Sequence, residues 1–336
     1  MAMLEAITNS KNTEYIDKSG NIAIIPAGFA PTRIEGETEI DDGLVIIDYQ
    51  GNEFVWVPVA DINTMAKETF GIDSNGRTNY QGKLYNFSGS GENITVSEFE
   101  HYGQGYNLYF REPSLITGDA NDSYAILDSV AGSMYDADSS YYHDILGYNS
   151  AIELGKAMQE EYNAMVESVN KYGGFYVGRY ETSISETTVA SVAEKAPIVR
   201  MNWYKIYLYE HSNYENNPFY SSTSVTSSMI WGSQWDAMLN WILIGSDKTK
   251  VFANTNGNHS GSIVNTGVTT TDVMNNIYDL EGNVAEWTQE AWYDSLRMFR
   301  GGEFADERNS TTRSHRDAHA SSRWMYCSSR LSIFIK

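Results

Sequence analysis

The chain has 336 residues, with 44 Asp and Glu against 23 Lys and Arg, and a formal net charge of −21. That balance excludes nucleic acid, which needs a basic face, disfavours anionic membrane surfaces and favours solubility. A hydrophobic fraction of 41% provides for a sizeable core, the single cysteine, Cys327, excludes a disulfide framework and a Cys-based zinc cage, and no apolar run is long enough for a membrane span.

In chain order, residues 1–20 are polar and read as a flexible N-terminus; Met1 to Ser10 has neither the charged start nor the apolar stretch of a signal peptide. Leu44 to Ile47 and Phe54 to Val57 flank Gln50-Gly51-Asn52, which predicts a hairpin, with Pro58 at a strand end or edge. From about 60 to 149 Gly, Ser, Asn, Asp and Tyr dominate, and this stretch reads as an insertion packed on the same scaffold. Met158, Tyr162, Met165, Val166 and Val169 recur at helical spacing until Gly173-Gly174 stops the helix, and Phe175 to Tyr180 follows as a strand. Ser233, with Asp236 three residues on, predicts a second helix start. Trp235, Met238, Leu239 and Ile242 form that helix's apolar face, and Gly245 ends it. Ser246 to Asn275 is a polar loop. The expectation is an α+β chain with one domain over 21–336: two helices against a small, twisted, mostly antiparallel sheet, with much irregular chain.

The C-terminal part is the most informative. Tyr278-Asp279-Leu280-Glu281-Gly282-Asn283-Val284-Ala285-Glu286-Trp287 is followed by Arg297-Met298-Phe299-Arg300-Gly301-Gly302, and the chain closes on Arg330-Leu331-Ser332-Ile333-Phe334-Ile335. Both ends look like hydrophobic strand material. Between them, Glu303 to Tyr326 follows neither a helical nor a strand period. An unpatterned segment held between patterned ones is a displayed surface on a fixed frame, which is where binding residues sit. The candidate contacts are Glu303, Phe304, Ala305, Asp306, Glu307, Ser310, His315, Asp317, Ala318, His319, Arg323, Trp324, Met325 and Tyr326. Arg323, Trp324 and Tyr326 would be the energetic anchors, because aromatics and Arg dominate hot spots. The 24 Tyr and 8 Trp suit a binding surface, although a Tyr-rich β core also uses such residues.

Other constellations are weaker. Gly89-Ser90-Gly91 lacks the following Lys of a nucleotide loop. His315 and His319, four apart, could share a metal only on a helix, and Arg316, Asp317 and Ala318 between them give no helical apolar face. With 44 acidic residues, spacing singles out no acid–base pair.

The succession of these C-terminal motifs resembles the formylglycine-generating-enzyme-like branch of the C-type lectin fold. Within that branch it is most similar to variable proteins diversified by retroelements in phages and gut bacteria. Phe54 to Val59, Gly174 to Glu181 and Ser233 to Met238 extend the likeness over most of the chain from about Ile24, the insertion apart. The resemblance implies a variable ligand-binding region at about 297–336 and a protein or cell-surface ligand met at a virion or cell surface, without nucleic acid or membrane insertion. No cofactor is required. A structural calcium ion is implied, held by the side chains of Asp279 and Glu286 and the carbonyls of Gly282 and Val284, hard oxygen ligands of the kind this ion takes. The residues alone equally allow a turn in which Asp279 caps nearby amides and Glu286 pairs with a buried arginine such as Arg300. Arg297, Arg300, Arg316 and Arg330 become framework arginines.

The enzymes of this branch oxidise a substrate cysteine at copper held by two cysteine thiolates, and relatives that make sulfoxide bonds use a His-rich iron site on an added helical domain, for which this sequence shows no counterpart. Cys327 has no second thiolate to join it. Ser328-Ser329 also stand where the family usually has Gly-Phe, and Ala285 where it often has Trp. The chain is therefore read as a non-enzymatic receptor or adhesin. The alternatives are an oxidoreductase of the formylglycine-generating type and a phage-tail or adhesin tip of fixed specificity.

Overall fold

A computed structural model describes residues 2–62, 70–72, 78–80, 84–88, 95–99, 109–110, 141–149, 151–185, 188–212, 224–245, 256–292, 296–305, 315–323 and 325–336. In its first half the elements are α1 (Ala2–Thr8), β1 (Thr13–Ile16), β2 (Ile22–Ile25), β3 (Phe29–Pro31), β4 (Val45–Asp48), β5 (Glu53–Pro58), β6 (Phe70–Ile72), β7 (Thr78–Tyr80), β8 (Leu84–Ser88), β9 (Thr95–Phe99) and β10 (Tyr109–Phe110). There follow α2 (Ala151–Tyr172), β11 (Gly174–Gly178), β12 (Ser183–Ser185), β13 (Thr188–Ala190), α3 (Trp203–His211), β14 (Val225–Met229), α4 (Gly232–Ile244), β15 (Val273–Met274), β16 (Ile277–Tyr278), β17 (Ala285–Trp292), β18 (Leu296–Arg300), β19 (His315–His319), β20 (Cys327–Ser329) and β21 (Leu331–Ile335). The architecture is mixed α+β.

Its larger sheet is antiparallel throughout, in the order β14-β21-β11-β5-β4-β3. The alternation of strand side chains sorts the sheet's residues onto two faces. Val55, Val57, Phe175, Val177 and Phe334 join a core with α2, α3 and α4, through Met158, Tyr162, Trp203, Trp235 and Leu239. Phe54, Trp56, Tyr176, Ile333 and Ile335 turn the other way, toward Ile25, Phe29 and Ile40 from the N-terminal part. Both faces are covered, which is why Phe54 to Val57 reads as an unbroken apolar run. Gly174 is required by close packing: a Cβ there would lie 2.5 Å from the Trp56 ring.

The hairpin at Gln50-Gly51-Asn52 forms as expected. Gly51 takes φ +89°, and Asp48 Oδ1 accepts the amides of Gln50 and Asn52. The long helix is α2, ended by Gly173 at φ +79°. The start of α4 differs from expectation. Its cap position is Trp231, whose amide is taken by the Gln234 side chain, so Ser233 lies inside the first turn. Beside the two expected helices stand α1 and α3, which are too short for periodicity to reveal.

Residues 2–20, in the stretch expected to be a flexible N-terminus, include α1 and β1. α1 buries Ala6 against β3 and β4 and is tied by Glu5 to Arg33 at 2.6 Å, while β1 pairs with β2 in register Thr13 to Ile25. The ordering comes from the turn between those strands, where Asp17 accepts the amides of Asn21 and Ile40. Most of the insertion at about 60–149 lies outside the described residues. No described helix is long and apolar enough to cross a membrane.

Candidate functional site

The second sheet runs β10-β17-β18-β19, with β20 lying parallel to β17 on its other side of the path. β17 and β18 form a hairpin with Glu286 opposite Arg300 and Trp287 opposite Phe299. Trp287 is fully buried and meets Phe299 edge-on at 5.4 Å. The segment from Glu303 to Tyr326 therefore begins at the end of a braced hairpin and returns into β20.

Its two ends are gathered by one turn. The Phe304 amide donates to the Asn283 carbonyl at 3.0 Å, and the Ala285 amide donates to the Tyr326 carbonyl at 2.8 Å. The Phe304 and Tyr326 rings close the same neck, edge to face at 5.0 Å. The chain enters it through Gly301 and Gly302, both at φ +89°, and Gly301 gives its carbonyl to the Gly282 amide. Farther along, the Trp203 amide at the start of α3 donates to the Ala320 carbonyl at 3.0 Å. All these hydrogen bonds are main chain to main chain, so none depends on which side chains the segment carries.

The turn is held by buried polar groups. Glu181 accepts Asn283 Nδ2 on one oxygen, at 2.6 Å, and the Val284 amide on the other, at 3.1 Å. Arg330 is fully buried. Its Nε and Nη2 take the two oxygens of Glu286, and Nη1 donates to the Gly178 carbonyl. Nη2 also donates to the carbonyls of Tyr278 and Asp279. The partner of Glu286 is thus Arg330 and not Arg300, which approaches Asp236 at 3.9 Å. Arg297 and Arg300 are buried, as framework residues are; the Arg316 side chain lies outside the described ones.

Asp279, at φ +57°, accepts the Gly267 amide on Oδ2 at 2.6 Å, while its Oδ1 is buried without a hydrogen-bond partner. Burial pushes its carboxyl up to about 6, against the pull of the Gly267 amide and Arg330. Burial, then Asp279 and Glu286, holds Glu181 well above the usual carboxylate range. Three buried carboxylates share one guanidinium. That excess of acid and the orphaned Oδ1 of Asp279 fit a hard cation, with Glu286 sharing its carboxylate with Arg330. Among the described residues no three His, Cys, Asp or Glu side chains converge on a metal position, so any such site would rest on two side chains and two carbonyls.

The predicted contacts fall into distinct environments. Ala305, Arg323 and Met325 are exposed, and Phe304 and Tyr326 are half-buried in the neck. Glu303, directly after Gly301-Gly302, is buried at 7% exposure. His315, Asp317, Ala318 and His319 lie on β19, opposite Arg300, Met298, Arg297 and Leu296. The expectation of irregular chain there fails, because the open edge of β18 supplies a ladder that needs no apolar alternation. In a strand His315 and His319 stand about 13 Å apart, too far to share one ion. Asp306, Glu307, Ser310 and Trp324 lie outside the described residues. Cys327 is wholly buried, in β20.

Four residues important to the site carry no role in the sequence reading. Glu181 and Asn283 stand inside recognisable motifs, and Asn202-Trp203 is a helix-start signal, since Asn202 Oδ1 accepts the Lys205 amide.

No family model and no curated protein matches this chain. Among solved structures, it is similar to PvdO from Pseudomonas aeruginosa at 14% identity and a TM-score of 0.35, over 48% of this chain and 81% of that one. It is also similar to Treponema denticola variable protein 1, at 9% identity and a TM-score of 0.25, over 96% of this chain and 98% of that one.

Proposed function

We propose that this chain is a ligand-binding protein of the C-type lectin type, in its formylglycine-generating-enzyme-like form. Its surface between Gly302 and Cys327 recognises a protein or cell-surface ligand and is diversified by a retroelement. The observation that carries this reading is the neck: one turn, Asn283 to Ala285, holds both ends of the segment through main-chain hydrogen bonds. Side chains between those anchors can change without changing the anchors. The oxidoreductase alternative needs two thiolates, and the chain has one cysteine, which is buried.

A library randomised at Ala305, Arg323 and Met325, all exposed, tests this. Surface changes shift stability by less than about 0.5 kcal/mol each, so most members should melt within a few degrees of the parent. Selection on a defined protein such as hen lysozyme should yield binders, since aromatic and Arg anchors contribute on the order of 2 kcal/mol each. General unfolding of the library would end the display reading. Retroelement diversification has its own test: an adenine-rich template copy of the segment beside a reverse transcriptase gene. Neighbouring DNA without either would leave a tip of fixed specificity.

We also propose that Asp279, Gly282, Val284 and Glu286 hold a structural calcium ion, on the strength of the orphaned Asp279 Oδ1. A chelator should then lower the melting temperature of the parent but not of Asp279→Ala. The same melt for the parent with and without chelator would rule the ion out.

A further inference from the structure

Helix α3 joins the display segment to a buried titratable cluster. At its N-terminal end the Trp203 amide holds Ala320, and Trp203 Nε1 donates to the Thr288 carbonyl at 2.9 Å while the Arg297 guanidinium lies over the ring at 4.4 Å. At its C-terminal end two consecutive residues enter separate polar sites, that of Glu210 buried and that of His211 half-buried. Glu210 Oε1 accepts the hydroxyls of Thr182 and Ser329, each at 2.7 Å, and Oε2 is buried with no partner. His211 Nε2 meets the Glu161 carboxylate of α2, its Nδ1 meets the Tyr207 carbonyl at 2.7 Å, and its ring stacks on Tyr207 at 3.7 Å. Glu161 is in turn held by Ser228 of β14 and Gln289 of β17.

We propose that α3 is a pH-sensitive strut: with Glu210 neutral and His211 charged it is docked, and loss of both protons loosens its grip on the display segment at Ala320. The charges facing the two groups decide the direction. Among the described residues Glu210 meets the Thr182 and Ser329 hydroxyls at contact distance, with His211 and Glu286 as charged groups acting on it from farther off. His211 faces Glu161, with Glu210 beside it. An ionised Glu210 is thus a buried anion with one bare oxygen, and a neutral His211 leaves the half-buried Glu161 without its cation.

Burial pushes Glu210 up to about 7, its two hydroxyl donors opposing. Burial opposes the charge on His211, but the Glu161 carboxylate raises it above the ordinary imidazole value. Both groups are raised on folding, so both contribute stability at low pH that is lost as pH rises through their folded values. Glu161 is shifted downward, so its contribution fails only in acid. From a reference value of 4.5 and a folded value of about 7, Glu210 alone weakens folding on the order of thirtyfold between pH 5.5 and 8.

The test needs no ligand, so it can fail independently of the display reading. Exchange protection of the Trp203 amide, corrected for the chemical rate, should fall at least on the order of thirtyfold in the parent from pH 5.5 to 8. Glu210→Gln, isosteric and neutral, should remove about that factor from the slope while leaving the contributions of other buried acids in place. Equal slopes in parent and variant would overturn the proposal. Should the variant fail to fold, carbon NMR of the parent's own Glu210 carboxyl decides: titration near 7 supports the strut, and titration below 5 overturns it.

Discussion

Arg330→Ala should cost about 3–5 kcal/mol of stability, a large share of the roughly 5–15 kcal/mol by which a folded protein is stable. The guanidinium is wholly buried and bridges three parts of the chain: Glu286 on β17, the Gly178 carbonyl at the end of β11, and the Tyr278 and Asp279 carbonyls of the turn. Removing it leaves the Glu286 carboxylate buried beside Glu181 and Asp279, with the carbonyls unpaired as well. Arg330→Lys should recover only part of the loss, because an ammonium cannot reach Glu286 in a fork and the carbonyls on either side of it together. Urea denaturation of the three proteins measures this. A midpoint in Arg330→Ala equal to the parent's would mean that the pair with Glu286 is not the brace of this turn.

The second large effect is expected at Trp287. It is wholly buried on β17 and supports Phe299 of β18 from below the display segment. Trp287→Ala opens a large cavity and should cost about 3–5 kcal/mol. Trp287→Phe keeps most of the apolar volume and should cost much less. The indole Nε1 is buried without a hydrogen-bond partner, so phenylalanine removes an unsatisfied donor along with the lost volume. Thermal melting of both variants separates volume from polarity. Equal losses in the two would show that the nitrogen has a partner whose loss matters.

What could be read from the sequence is what neighbours along the chain decide. The turn at Gln50-Gly51-Asn52 closes with Asp48, the end of α2 is set by Gly173, and the covered strand β5 announces itself by four consecutive apolar residues, because each depends on spacing within a few positions. The turn around Gly282 was legible in the same way, from its glycine and asparagine and the apolar residues around them. The choice of Arg330 over Arg300 for Glu286 was not, since both arginines are buried and only the packing of β21 beside β11 brings one of them to the carboxylate. The same limit applies to β19, whose residues follow no period and are a strand because β18 offers an edge, and to β20, whose parallel pairing with β17 joins segments some 40 residues apart. Trp203 meets Ala320 across more than 100 residues of chain. Local propensity acts over one or two turns of backbone, and a partner that far along the chain is chosen by the closed fold.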